Sequence, residues 1–150
     1  MDNAVHIKNG ALAALAAVWA FVAQALGGWT TDLAVLLAMM TADYITGWLV
    51  AAVWKRSNKS ETGSLDSKAS FKGLVKKGVI LLLVWLGVLL DTALGLSYVR
   101  TAVVLFFIGN EGLSLLENIG LMGVPFPAFL KNMLEAMKDQ SNDGKTDGEA

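Results

Sequence analysis

Apolar residues fall in four long runs separated by short polar breaks, and this pattern predicts helices rather than strands. Gly10 to Gly28 carries no formal charge over nineteen residues. Leu33 to Trp54 follows with a single acid, Asp43, at its midpoint, and Gly78 to Leu96 contains only Asp91. Each is about as long as a helix needs to cross the roughly 30 Å hydrocarbon layer. Thr101 to about Leu116 is a fourth, weaker run, apolar to Ile108 and then carrying Asn110, Glu111, Ser114, Glu117 and Asn118. Those polar positions fall at i, i+1, i+4, i+7 and i+8, which reads as one helical face.

Gly120, Gly123, Pro125 and Pro127 end that run. Beyond them Phe126, Phe129, Leu130, Met133, Leu134 and Met137 recur at helical spacing, predicting a short amphipathic helix over 126–138, for the membrane surface or a neighbouring subunit. The expected organisation is a polar leader at 1–9, a transmembrane region at 10–125 with spans near 10–28, 33–54, 78–96 and 101–116, the amphipathic helix, and a disordered tail at 139–150. The fold class is an all-α integral membrane protein with four transmembrane helices, or three if the fourth run stays at the interface. A cleaved signal peptide competes for the first run, since Ala23-Gln24-Ala25 resembles a cleavage site; the run's length and the single firm charge, Lys8, weigh against it.

Composition agrees with a bilayer: 55% of residues are hydrophobic against 17% charged, with a mean hydropathy of +0.53. The net charge of −1 conceals a segregation, because seven of the twelve Lys and Arg lie in the loop 55–77. With four spans and a cytoplasmic amino terminus, eleven basic residues lie inside and Arg100 alone outside, as the positive-inside rule favours. Lys68, Lys72, Lys76 and Lys77 are candidate membrane-surface residues, suited to anionic head groups, though a solvated linker explains them as well. Nothing in the charge pattern calls for a nucleic-acid partner. With no Cys and one His, disulfides and thiolate metal sites are excluded.

Intramembrane acids are costly, so Asp43, Asp91 and Glu111 must meet protein or water. Asp43 shares a face with Gly47 and Ala51, and Gly87, Asp91 and Gly95 repeat that combination of small residues and acid; matching faces invite the second and third helices to pair. The candidate pore-lining or helix-packing set is therefore Asp43, Gly47, Gly87, Asp91, Gly95, Asn110, Glu111, Ser114, Glu117 and Asn118. Catalysis is not expected. Neither aspartate sits in a Gly-x-Gly-Asp motif, neither Gly-x-Ser continues to a nucleophile elbow, and no His lies in a span to act as base. No cofactor, metal or phosphate-binding motif is present.

Asp43-Tyr44-Ile45-Thr46-Gly47, Lys72-Gly73 followed by Lys76-Lys77, Asp91, the Asn110-Glu111-x-x-Ser114-x-x-Glu117-Asn118 ladder and Gly123-x-Pro125-x-Pro127 together resemble the toxin-secretion/phage-lysis holin family, over roughly Leu33 to Glu135. The resemblance implies a small phage-encoded protein of the bacterial inner membrane that oligomerises and opens lesions. Its partners would be the lipid bilayer, further copies of itself and, functionally but without direct contact, an endolysin that crosses to the cell wall. Family members often have three spans, whereas hydropathy here supports four. After Met1 the next methionine is Met39, so no inhibitor from a second early start is expected. On this reading the three acids are sheltered in a compact bundle and face water when many copies rearrange; simple helix-to-helix hydrogen bonding is the alternative. A small proton- or cation-coupled transporter or channel, or an assembly factor acting through the amphipathic helix, are the other classes considered.

Overall fold

The computed structural model describes residues 2–55, 57 and 66–140, with the side chains of residues 2–4, 137, 138 and 140 left aside. Among them there is no strand. The elements are α1 (Asp2–Ala25), α2 (Thr31–Leu49, continued by a π-helical turn at Val50–Trp54), α3 (Ser67–Leu94), α4 (Val99–Leu121) and α5 (Ala128–Gln140). The first four are long and apolar enough to cross a membrane. The expected tail lies outside the described residues from 141 onward, as does most of the loop before Asp66.

Several boundaries move. The leader is not a separate segment, since α1 starts at Asp2. Helix α3 starts at Ser67, with Asp66 accepting from the Lys68 N–H as its cap, so the helix that carries the third apolar run already includes Lys68 to Lys77. At the other end Gly95 takes a left-handed conformation (φ 66°) and its N–H returns to the Asp91 carbonyl, the usual glycine stop. Lys55, also left-handed, ends the π turn.

The described bundle is built on α4, which both α2 and α3 pack against far more than against each other. The expected pairing of matching α2 and α3 faces is thus replaced by two separate seams on α4. The core is formed by Leu33, Leu36 and Met40 of α2, Ile80 and Val84 of α3, Val104 and Ile108 of α4, and Leu26 from the preceding turn. These follow the three- and four-residue steps of a packed helix stripe. Arg100 beside Asp32, and Asn118 beside Asp43, show α2 and α4 running parallel, with α3 antiparallel between Lys77 at one end and Gly87 near Arg100 at the other.

Gly87 brings α3 close against α4. A Cβ there would stand 2.9 Å from the Arg100 Cα, a backbone atom that cannot step aside. Gly87→Ala is therefore expected to lower stability by about 1–3 kcal/mol, the usual cost of overpacking. A detergent unfolding midpoint equal to wild type would show that the two helices are not held this close. Gly95, by contrast, faces open space and serves only its turn.

Helix α5 folds back along α4. Leu134 is buried against Gly112, where an added Cβ would lie 2.8 Å from a leucine methyl. Helix α1 behaves oppositely: residues 5–20 are exposed throughout, the small residues Ala13, Ala16, Ala17 and Ala20 among them. Its described ring contact is Trp19 on Trp29, centroids 5.7 Å apart.

Candidate functional site

The core stripes do not stop at the apolar residues. In α2 the stripe Leu33, Leu36, Met40 continues to Asp43; in α3 the stripe Val84, Ile80 continues back to Lys77; in α4 Val104, Ile108 continues to Glu111 and Asn118. The same geometry that buries the apolar residues therefore buries one acid, one base and another acid at one level of the bundle. The Lys77 ammonium donates to Asp43 Oδ2 at 2.9 Å and also to Glu111 Oε2. Side-chain exposures are 12% for Lys77, 7% for Asp43 and 2% for Glu111, so this is an interior cluster.

Asn118 completes it. Its amide donates to Asp43 Oδ1 at 3.0 Å, to the Asp43 carbonyl at 3.2 Å and to the Thr46 hydroxyl oxygen at 3.0 Å. That hydroxyl in turn donates to the Ala42 carbonyl at 2.8 Å. Among the described residues no buried side-chain nitrogen or oxygen lacks a partner. A buried network of this kind is tolerable only when satisfied, because desolvated charges cost several kcal/mol each.

Lys77 is the member the sequence reading placed elsewhere. Expected at the membrane surface with Lys68, Lys72 and Lys76, it is turned inward, whereas those three are exposed. The signal was present: Lys77, Ile80, Val84, Gly87 and Asp91 step by three and four along one stripe. Lys76, one residue earlier and about 100° around the helix, does not lie on it.

The polar ladder of α4 divides for the same reason. Glu111 and Asn118 are buried and Ser114 lines a cavity beside them, but Asn110 is half-buried and Glu117 is exposed. The five positions cover more than one face, because i and i+1 diverge by about 100°. Asp91 does not join Asp43 and Glu111. It is fourteen residues from Lys77, about 21 Å along α3. There its carboxylate accepts from the Val99 and Arg100 N–H groups at 2.9 and 3.0 Å, capping a helix whose own N-cap, Tyr98, offers no side-chain bond.

The same end of the bundle holds a second ionic clamp. Arg100 donates to Asp32 Oδ2 at 2.6 Å, to the Thr30 hydroxyl at 2.8 Å and to the Leu26 carbonyl at 2.9 Å. Gly27 (φ 91°) lies directly against this guanidinium, where a side chain would collide. The bundle is thus pinned by charge at two levels, with the apolar core between.

A cavity of about 290 Å³ reaches the Lys77 cluster from the Asp66 end of α3, between α2 and α3. Gly47, Ala51, Gly73 and Ser114 line it together with Asp43, Lys77 and Glu111. The cavity thus brings small residues and polar groups whose charges cancel in part to one level of the bundle.

Residues 20–139 match the model of the bacteriophage holin family, which covers α2 to α5 and leaves most of α1 outside. A protein of Clostridium perfringens strain 13 is 36% identical over 118 residues, 77% of this chain and 82% of the relative. A 14.9 kDa C. perfringens protein encoded in the nagH 3′ region is 32% identical over 142 residues, 93% and 99% of the two chains. A protein named probable holin from Bacillus phage phi105 is 36% identical over 113 residues, 75% of this chain and 77% of the phage protein. No solved structure matches. With four helices able to span a bilayer and a family match over most of its length, this multi-pass, non-enzymatic membrane protein belongs to the bacteriophage holin family.

Proposed function

We propose that this chain is a phage holin: it accumulates in the bacterial inner membrane with its amino terminus in the cytoplasm, oligomerises, and permeabilises the membrane so that an endolysin reaches the cell wall. The observation that carries the reading is the Lys77–Asp43–Glu111 cluster, held inside a single copy with its polar atoms paired to one another. In a lone copy the cluster hides from lipid, because its charges cancel in part and α4 is covered by α2 and α3. When copies rearrange, separating α3 from α4 exposes an acid on one wall and a base on the other, surfaces that water wets and lipid does not.

Co-induction with a cytoplasmic endolysin in bacteria tests this. Sudden clearing of the culture that requires both proteins is expected, and intact, turbid cells with accumulated membrane protein would overturn it. A small proton- or cation-coupled transporter or channel is the second reading, favoured by the cavity that leads to Asp43 and Glu111 from one side. It predicts graded ion leakage and no release of the endolysin.

A further inference from the structure

We propose that the crevice between α2 and α3 is a binding site for one phospholipid with an anionic headgroup, whose phosphate sits between Lys72 and Lys76 and whose acyl chain lies along the helices. The crevice exists because α2 and α3 each pack on α4 and barely touch one another. Its outer part is the cavity that ends at the ionic cluster. A second cavity of about 440 Å³ adjoins it, shares Tyr44 and Lys77 with it, and continues along both helices. The walls of this deeper part are mainly apolar, with Leu37, Met40, Leu74 and Leu81.

Charge selects the headgroup. The acids lining the outer part are already engaged: Asp43 and Glu111 by Lys77, and Asp66 by the α3 N-terminus it caps. Lys72 and Lys76 line the same cavity one helical turn apart, are exposed, and form no ion pair among the described residues. The uncommitted charge at the mouth is therefore positive, and a phosphate suits it. Depth agrees. Helix α3 has 28 residues, about 42 Å, so about eight residues at its start project beyond the roughly 30 Å hydrocarbon layer. Lys72, the sixth residue, then stands at headgroup level, and Lys76, the tenth, lies about 3 Å inside the boundary, where its long side chain reaches up to the same level. Room is also available on the α3 side, since a Cβ on Gly73 or Gly78 would meet no atom within 4 Å.

Native mass spectrometry of the full chain released from bilayers of phosphatidylglycerol mixed with phosphatidylcholine tests the site. One retained phosphatidylglycerol per chain is expected, in preference to phosphatidylcholine. Lys72→Gln with Lys76→Gln should lower that preference roughly ten- to thirty-fold, from about 1 kcal/mol per lysine near the surface. Gly78→Leu should expel the lipid while helicity by circular dichroism stays at the wild-type level, because the new side chain enters open space. Equal retention of both lipids, or phosphatidylglycerol retention that neither variant alters, would overturn the proposal. So would a dimer mass abolished by Gly78→Leu, which would assign the crevice to a second copy of the chain.

Discussion

Lys77→Met is expected to lower the stability of the folded chain by about 3–5 kcal/mol, the cost of leaving a buried charge without its partner. Lys77 is the cation that faces both Asp43 and Glu111, and methionine has a similar length but no donor. Two carboxylates would then share an interior without their common cation, Asp43 keeping the bond from the Asn118 amide. Removing the whole set, with Lys77→Met, Asp43→Asn and Glu111→Gln combined, should recover most of the loss, since replacing all members of a buried ionic group is often neutral. Denaturant titration in mixed micelles, followed by tryptophan fluorescence, measures both. A single variant as stable as wild type would mean that the ammonium is not what holds the three helices at this level. A triple variant no better than the single one would mean that the hydrogen-bond geometry, not charge balance, is decisive. Under the holin reading the single variant also loosens α3 from α4, so membrane depolarisation should start earlier than in wild type.

Arg100→Met is the second large effect, expected at about 2–3 kcal/mol from three hydrogen bonds, one of them to a carboxylate. The loss is smaller than at Lys77 because Asp32 is 26% exposed in its side chain and water can replace part of the interaction. Combined with Asp32→Asn, a coupling of about 0.5–3 kcal/mol between the two substitutions is expected. Strict additivity would reduce Arg100 to a packing residue. The bond to the Leu26 carbonyl matters separately, since it ties the turn below α1 to α4. Cysteine cross-linking between that turn and the start of α4 should weaken in Arg100→Met and persist in Asp32→Asn.

Gly95 and Asp91 illustrate how far local pattern carries. Both fall on one small-and-acid face by their spacing, yet the two residues do unrelated work. Gly95 closes α3 in a left-handed turn, and Asp91 reaches across that turn to cap α4. Gly87 alone of that set makes a close helix contact. Helical spacing identifies which residues point the same way; it says nothing of what stands opposite. Helix α5 shows the same gap. Its amphipathic stripe was legible, but its cover, Gly112 of α4, depends on the chain reversing through the Gly123 to Pro127 segment and seating Leu134 against a residue with no side chain.

By itself the sequence determined what the segments are: four apolar helices of membrane length, the helix stop at Gly120 to Pro127, the family, and the presence of acids that lipid will not accept. These follow from composition and period, which act within one or two helical turns. Only the tertiary structure decided which charges answer one another. Asp43 and Lys77 are 34 residues apart, as are Lys77 and Glu111, and no local rule links positions so distant. Their meeting follows from α4 lying between α2 and α3, so that three stripes, each apolar along most of its length, carry their charged members to the same depth. The burial of Lys77 is the clearest case, since a lysine beside a basic loop is cheapest in water until two carboxylates are fixed within its reach.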